Sequence, residues 1–162
     1  MNFLSAQIRE AQVIVWGRVV GVEAPRWNSP DGKEWHGTTD GELPIMYVTY
    51  AVEPAEVWKG PQASGLVLLL GPAEIRPDDG ATGSDGGLPG GGLAVGDEVV
   101  AFGVAKPQYG PTADDAYWLV HDGSSVFRKT GGLFGRLESV PGDPEGNTLT
   151  RSALRGLVGG TQ

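Results

Sequence analysis

The 162-residue chain contains no cysteine. Disulfide scaffolds, thiol catalysis, cysteine-ligated zinc and iron–sulfur sites are therefore excluded. Long apolar segments are also missing, since no uninterrupted apolar run exceeds the five residues of Leu66–Leu70. A helix needs about 20 apolar residues to cross a bilayer, so we expect no membrane insertion.

Basic residues are few. Twelve Lys and Arg stand against 20 Asp and Glu, which gives a formal net charge of −8. A negative surface repels phosphate backbones and anionic membranes rather than attracting them. Nucleic acid is therefore not an expected partner.

Glycine and proline, in contrast, are abundant: the 27 glycines and 12 prolines make up about a quarter of the chain. This share lies just under the composition typical of low-complexity disorder. The two residue types are concentrated in Pro25–Pro44, Pro72–Gly92 and the tail after Gly131, and valine and leucine fill the segments between them. The composition therefore predicts one folded domain over residues 1–162 with long loops, because this length suffices for a single core.

Five segments rich in β-branched and aromatic residues predict strands. They are QVIVWGRVVGVE from Gln12, IMYVTYAVEPAEVWKG from Ile45, GLVLLLG from Gly65, EVVAFGV from Glu98 to Val104 and AYWLVH from Ala116. Gly17 and Gly21 in the first segment predict a bend or bulge, and Pro54 in the second predicts an edge or bulge, because glycine and proline interrupt a β-ladder.

The remaining segments predict shorter elements. Residues 1–11 favour an N-terminal helical turn, residues 72–92 a long glycine-rich loop, and residues 149–158 a short C-terminal helix. The Asp122–Gly123 pair is typical of a hairpin turn into a strand SVFRK, and LFGRLES predicts a last short strand or loop.

The order of these segments resembles a widespread group of small bacterial domains, most of them secreted and without assigned function. The similarity covers about residues 4–130 and is closest at Ala11–Val20, Val57–Gly60 and Val95–Phe102, which match the group's runs ADxVVxGxV, VLKG and GDEVLLFL. The resemblance implies an OB-like five-stranded barrel, related in shape to the netrin-like domain of tissue inhibitors of metalloproteinases, and it implies no catalytic residue. The expected fold is therefore all-β with short terminal helices, as a small antiparallel OB-like barrel of five to seven strands.

Residues suited to catalysis are sparse. His36 and His121 are the only histidines, and neither has Asp or Glu at a metal-binding spacing. Asp122-Gly123-Ser124-Ser125 lacks the second glycine of a nucleophile elbow. We therefore expect no catalytic residue and no enzyme. A hydrolase with an unfamiliar site stays open, and a pocket joining either histidine to a carboxylate within hydrogen-bond reach would favour it.

The glycine-rich loop offers weak candidates for a ligand site. Asp78, Asp79 and Asp85 could supply oxygen ligands to calcium, but their spacing differs from that of a calcium-binding loop. The glycines of Gly86–Gly92 do not precede the Lys-Ser/Thr pair of a phosphate-binding loop. No metal and no cofactor are therefore expected.

Loop aromatics are the best candidates for binding. Trp27, Trp35 and Tyr109, together with His36, lie in predicted loops, and rigid aromatic side chains are enriched at protein interfaces. The alternative is that these rings fold back to cover an open barrel end. Tryptophans on strands, including Trp16, are predicted to lie in the core or on the barrel flank.

These observations favour a non-catalytic protein-interaction module that uses the loops of a small β-barrel. The alternative is a structural or accessory subunit of a larger assembly such as a phage virion, for example a capsid decoration or tail protein. The expected partners are accordingly a protein or assembly neighbours, and oligomerisation stays open. The start MNFLSAQIREA lacks the basic start and apolar block of a secretory signal, so we expect secretion only if a leader was removed, and otherwise a cytoplasmic or virion location.

Overall fold

A computed structural model describes residues 3–37, 44–62, 65–73, 88, 92–105 and 116–161. Most of the predicted loop 72–92 falls outside these residues. The described helices and strands are α1 Phe3–Glu10, β1 Val13–Val22, β2 Arg26–Trp27, β3 Met46–Lys59, β4 Val67–Pro72, β5 Glu98–Val104, β6 Ala116–Leu119, β7 Val126–Thr130, β8 Leu133–Arg136, β9 Thr148–Leu149 and α2 Arg151–Thr161.

Five strands form a closed barrel. They follow the order β1-β3-β4-β6-β5, and an additional pairing of β1 with β5 closes the ring. The predicted fold class, a small OB-like β-barrel with two short helices, is confirmed. The strand directions are mixed rather than purely antiparallel, because β4 pairs with β6 in parallel. A parallel pair needs a long crossover connection, and the chain between these two strands, which includes β5, supplies it.

The predicted bulges occur in the β1–β3 ladder. Its register shifts between Trp16 and Gly17 and again between Val19 and Gly21, and Gly17 lies opposite Pro54. A Cβ atom at Gly17 would clash with the carbonyl oxygen of Glu53. Glycine therefore allows the two backbones to approach at the irregular point.

Alternate residues along the strands belong to two separate hydrophobic clusters, one on each face of the barrel wall. The barrel interior is filled by residues that include Val15, Val19, Val52, Leu69, Val99 and Ala101. Their neighbours on the outer face, among them Ile14, Val100 and Phe102, pack against Leu4 and Ile8 of α1 and Leu154 and Val158 of α2. Because side chains alternate across a strand, the barrel wall is buried on both faces where the helices cover it.

The two helices differ from the predicted bounds by a few residues. α1 occupies most of the predicted 1–11 segment, and α2 starts after Thr150, whose Oγ1 accepts a hydrogen bond from Ala153 N at 3.1 Å. α2 continues past Gly159 to Thr161, because a glycine ends a helix through a positive φ and Gly159 does not adopt one. Within the described residues, neither helix has the length and hydropathy to span a bilayer.

The predicted hairpin at Asp122–Gly123 is wrong. β6 and β7 do not pair with each other, since β6 pairs with Gly103–Val104 and β7 with Val99–Ala101 of the same strand β5. β5 is long enough to pair with both in succession, and a 3-10 turn over Asp122–Ser125 joins them. Asp122 adopts a φ of +51° in this turn, an uncommon conformation for a residue other than glycine.

Candidate functional site

Two of the predicted loop aromatics, Trp27 and Trp35, belong to a small separate core, and Trp27 lies on the short strand β2 rather than in a loop because it pairs with Met46. Trp27 is only 5% exposed and packs with Met46 and Ala73. Trp35 is half-buried against the same cluster, and its indole Nε1 donates to Asn28 Oδ1 at 2.7 Å. His36 is exposed. Trp27 is therefore covered, while Trp35 and His36 keep accessible surface.

Asn28 ties this loop to β3. Its backbone N–H donates to the carbonyl oxygen of Ile45 at 2.9 Å, and its Oδ1 accepts the N–H of Ile45 at 2.9 Å. In the adjoining turn the carboxylate of Asp31 accepts hydrogen bonds from the Lys33 N–H and the Ser29 hydroxyl. These two bonds stabilise the ionised form and lower the pKa of Asp31. The loop is thus held by its own polar contacts.

The other predicted site residues lie elsewhere. Tyr109 and the calcium candidates Asp78, Asp79 and Asp85 fall outside the described residues, so their roles stay predictions. In the described ranges no group of three or more His, Asp or Glu side chains is placed to hold a metal ion.

A groove on the outer barrel face, here called the Trp16 groove, opens where β1 and β3 lose register. Its volume is about 190 Å³, and it is lined by Trp16, Gly17, Arg18, Glu53, Pro54, Ala55 and Glu98. The register shift places Glu56 opposite Trp16 and Pro54 opposite Gly17, so that Ala55 is the extra residue of the bulge. A β-bulge bends the strand and re-aims its side chains, which explains a depression at this point.

The indole of Trp16 is held in place from several sides. Its Nε1 donates to Glu98 Oε2 at 3.0 Å, and Glu98 Oε1 lies 3.6 Å from Lys129 Nζ. The guanidinium of Arg151 lies 4.3 Å from the ring centroid, a cation–π distance. The Trp58 ring is 6.5 Å away, centroid to centroid. The ring is therefore restrained by contacts within the protein.

The charged side chains that line the groove differ in whether they have a hydrogen-bond or ion-pair partner. Arg18 Nη1 donates to the Gly96 carbonyl oxygen at 3.0 Å, and Glu98 has the two partners just described. Glu53 is exposed, and in the part of the chain that the structure describes its carboxylate makes no hydrogen bond or ion pair. Glu53 is the residue opposite Arg18 in the β1–β3 register, but the two side chains form no ion pair within 4 Å.

A second cavity, here called the His121 cavity, lies beside the 3-10 turn. Its volume is about 370 Å³, and it is lined by His121, Asp122, Ser124, Glu138, Ser139, Val140 and Pro141. His121 Nε2 lies 2.8 Å from Glu10 Oε2, with both side chains about half exposed. A histidine and a carboxylate therefore meet at the edge of a cavity, the arrangement that would favour a hydrolase.

The serine of this cavity is engaged elsewhere. The Ser124 hydroxyl donates to the His121 backbone oxygen at 2.8 Å and accepts a hydrogen bond from Gln7 Nε2 at 3.3 Å. A catalytic serine instead needs a hydrogen bond to the ring of its base. The described contacts therefore supply a histidine–carboxylate pair and leave Ser124 in a structural role.

Behind this cavity lies a buried ion pair. Arg136 Nη2 lies 3.0 Å from Asp143 Oδ2, with the two side chains 0% and 5% exposed. The same Nη2 donates to Gln7 Oε1 at 3.0 Å. Burial lowers the pKa of Arg136, and the carboxylate of Asp143 opposes this shift. This network fastens α1 to β8 and to the segment before β9.

The sequence alone does not reveal the Trp16 groove or the His121 cavity as a candidate functional site. Trp16 was predicted only as a core or flank residue, although the irregularities predicted at Gly17 and Pro54 mark the place where the groove forms. The contact between Glu10 and His121 joins residues 111 positions apart, and no local pattern signals it.

In comparisons with known proteins, no family model matches the chain, and no curated protein matches it. Function is therefore inferred from the groove and the cavity themselves.

Proposed function

We propose that the chain is a non-catalytic protein-interaction module that binds its partner at the Trp16 groove. The observation that supports this most is a fixed, half-buried tryptophan beside an open groove whose rim carries Arg18. Tryptophan and arginine are the residue types most enriched among interface hot spots. We further propose kinship with the small bacterial netrin-like domains, with which a closed barrel bearing helices on its outer face is compatible.

The rigidity of the groove supports binding. Trp16 is already restrained by Glu98 and Arg151, so little side-chain entropy would be lost when a partner docks. The loop around Trp35 is similarly restrained through Asn28. Trp35 and His36 are accordingly kept as predicted residues of a wider interface.

The size and lining of the groove favour a protein partner over a substrate. Small-molecule sites usually measure about 300–1,000 Å³, and the groove, at about 190 Å³, is smaller. Its lining includes no histidine, serine, threonine or lysine, the usual sources of a nucleophile or a general base besides carboxylates. A groove of this kind suits one inserted side chain of a larger partner.

Selection from a random-peptide library on the immobilised protein tests the proposal. Peptides that bind should lose affinity about tenfold or more in Ala55→Trp, which fills the groove from an exposed position, because hot-spot contacts are worth about 2 kcal/mol or more. Thr148→Trp, exposed on strand β9, is the matched control and should bind normally. Absence of any enriched peptide, or equal binding by Ala55→Trp, would overturn the proposal.

A structural subunit of a larger assembly would behave differently. Such a chain should form particles or regular oligomers at high concentration, and light scattering would detect them. A stable monomer that binds peptides at the groove supports the interaction module instead.

A hydrolase is the second candidate, because His121 and Glu10 lie within hydrogen-bond distance at the edge of the His121 cavity. A carboxylate-paired imidazole can act as a general base toward water. Chromogenic carboxylic esters would be hydrolysed faster by the wild type than by His121→Gln if this function holds. Equal rates for the two proteins would dismiss it.

A further inference from the structure

We propose that the partner group bound in the Trp16 groove is a cationic side chain, an arginine or a lysine of a protein. This inference rests on the proposed function and adds the chemistry of the bound group. Three features of the described residues support it: Trp16 lines the groove and is only partly buried, the Glu53 carboxylate makes no hydrogen bond or ion pair among these residues, and two arginines lie over tryptophan rings on this face.

The protein already places guanidinium groups over the indoles of this face. Arg151 lies 4.3 Å from the centroid of Trp16, and Arg155 lies 5.7 Å from that of Trp58. Both arginines come from α2, and neither lines the groove. Trp16 itself lines the groove and is only partly buried, so a cation bound in the groove would lie beside an indole that already contacts one guanidinium.

Glu53 supplies the complementary charge. Glu53 lines the groove, and its carboxylate makes no ion pair among the described residues. A cation that stacks on Trp16 would thus find a counter-ion beside it, and the net charge of −8 favours its approach. The stem of a lysine or arginine would meanwhile contact the apolar surface of Pro54 and Ala55.

Other ligand chemistries fit less well. An anionic side chain would meet two carboxylates, those of Glu53 and Glu98, against the single guanidinium of Arg18. A neutral apolar side chain would remove water from Glu53 and leave its charge uncompensated, which is costly. A cation satisfies Glu53 and the indole together.

Titration with single capped amino acids tests this chemistry directly. The probes are the Nα-acetyl, N-methylamide derivatives of arginine, lysine, norleucine and glutamate, each added to 15N-labelled protein. The arginine and lysine probes should shift the indole N–H resonance of Trp16 in a saturable way, and the norleucine and glutamate probes should not.

Two charge-removing variants on the same strand separate a specific contact from the general field of the protein. Glu53→Gln should weaken arginine binding about three- to fivefold, as expected for loss of one exposed ion pair. Glu56→Gln is the matched control, because Glu56 is also exposed on β3 but does not line the groove. It should leave the affinity unchanged.

The outcomes distinguish this inference from the proposed function. Equal shifts with norleucine, or equal affinity in Glu53→Gln, would overturn the cationic assignment, even where library peptides still require the groove. Loss of peptide binding in Ala55→Trp together with an arginine requirement in those peptides would support both. Saturable arginine binding without any groove-dependent peptide would keep a cation site and overturn the interaction module.

Discussion

The indole N–H of Trp16 donates to the carboxylate of Glu98 at 3.0 Å, across the β1–β5 pair that closes the barrel. This bond joins residues 82 positions apart and fixes the tryptophan that lines the groove. The bond therefore anchors the Trp16 indole to the strand pair that closes the barrel.

Replacing Glu98 with alanine should loosen this tryptophan. The lost hydrogen bond involves a charged acceptor and should cost about 1–2 kcal/mol of unfolding free energy, measured by urea denaturation. The Trp16 indole N–H resonance should move as well. Lys129→Ala, which removes only the exposed 3.6 Å ion pair to Glu98, should cost about 0–1 kcal/mol; an equal loss in both variants would contradict this account.

Substitution of Gly17 by alanine should be destabilising. The new Cβ would meet the Glu53 carbonyl oxygen and the Val52 side chain, and such overpacking costs about 1–3 kcal/mol. Gly132→Ala is the control, because a Cβ there meets nothing within 4 Å. Unfolding midpoints that are equal for the two variants would show that the close approach at the bulge is not needed.

Removal of the buried ion-pair partner should have a larger effect. Asp143→Ala leaves the guanidinium of Arg136, which is fully buried, without its carboxylate, and breaking such a pair costs roughly 3–5 kcal/mol. Arg128→Ala breaks an exposed pair with Asp97, 3.9 Å apart, and should cost about 0–1 kcal/mol. Similar unfolding free energies for the two variants would refute the assigned role of the network.

The structure also predicts a loss of stability at alkaline pH. Burial raises the pKa of Tyr47 and of Tyr50, so folding favours their neutral forms. The unfolded tyrosines ionise near pH 10. The stabilisation is therefore fully present below about pH 10 and is lost as the pH rises through the higher folded values.

Urea titrations from pH 8 to pH 11 would measure this effect. The decline in unfolding free energy above pH 10 should be shallower in the Tyr47→Phe, Tyr50→Phe double variant than in the wild type, because the variant has no phenol to ionise at these positions. Parallel curves for the two proteins would contradict the prediction.

The barrel could be predicted from sequence because its signals are local. Alternation and β-branched residues mark strands such as Glu98–Val104, and Gly17 and Pro54 mark the bulges of the β1–β3 ladder. The turn at Asp122 was predicted wrongly because a hairpin and a 3-10 turn share the same Asp-Gly signal. Only the pairing of β6 and β7 with successive parts of β5 separates them.

The candidate site could be predicted only in part, because it depends on contacts distant in sequence. The groove places Glu98 beside Trp16, and the contact of Glu10 with His121 forms beside the His121 cavity. Trp27 illustrates the opposite case, since a tryptophan in a segment predicted as a loop offers the same sequence signal whether it faces a partner or, as here on strand β2, packs against Met46 and Ala73. Burial of that ring follows from tertiary packing alone.

The affinity of library-selected peptides for the wild type and for Ala55→Trp tests the central claim most directly. Calorimetry on both proteins, with Thr148→Trp as control, would measure it once circular dichroism shows that all three are folded. A loss of about tenfold or more confined to Ala55→Trp is the predicted result. Equal affinities for all three proteins would contradict the assignment of the Trp16 groove as the partner-binding site.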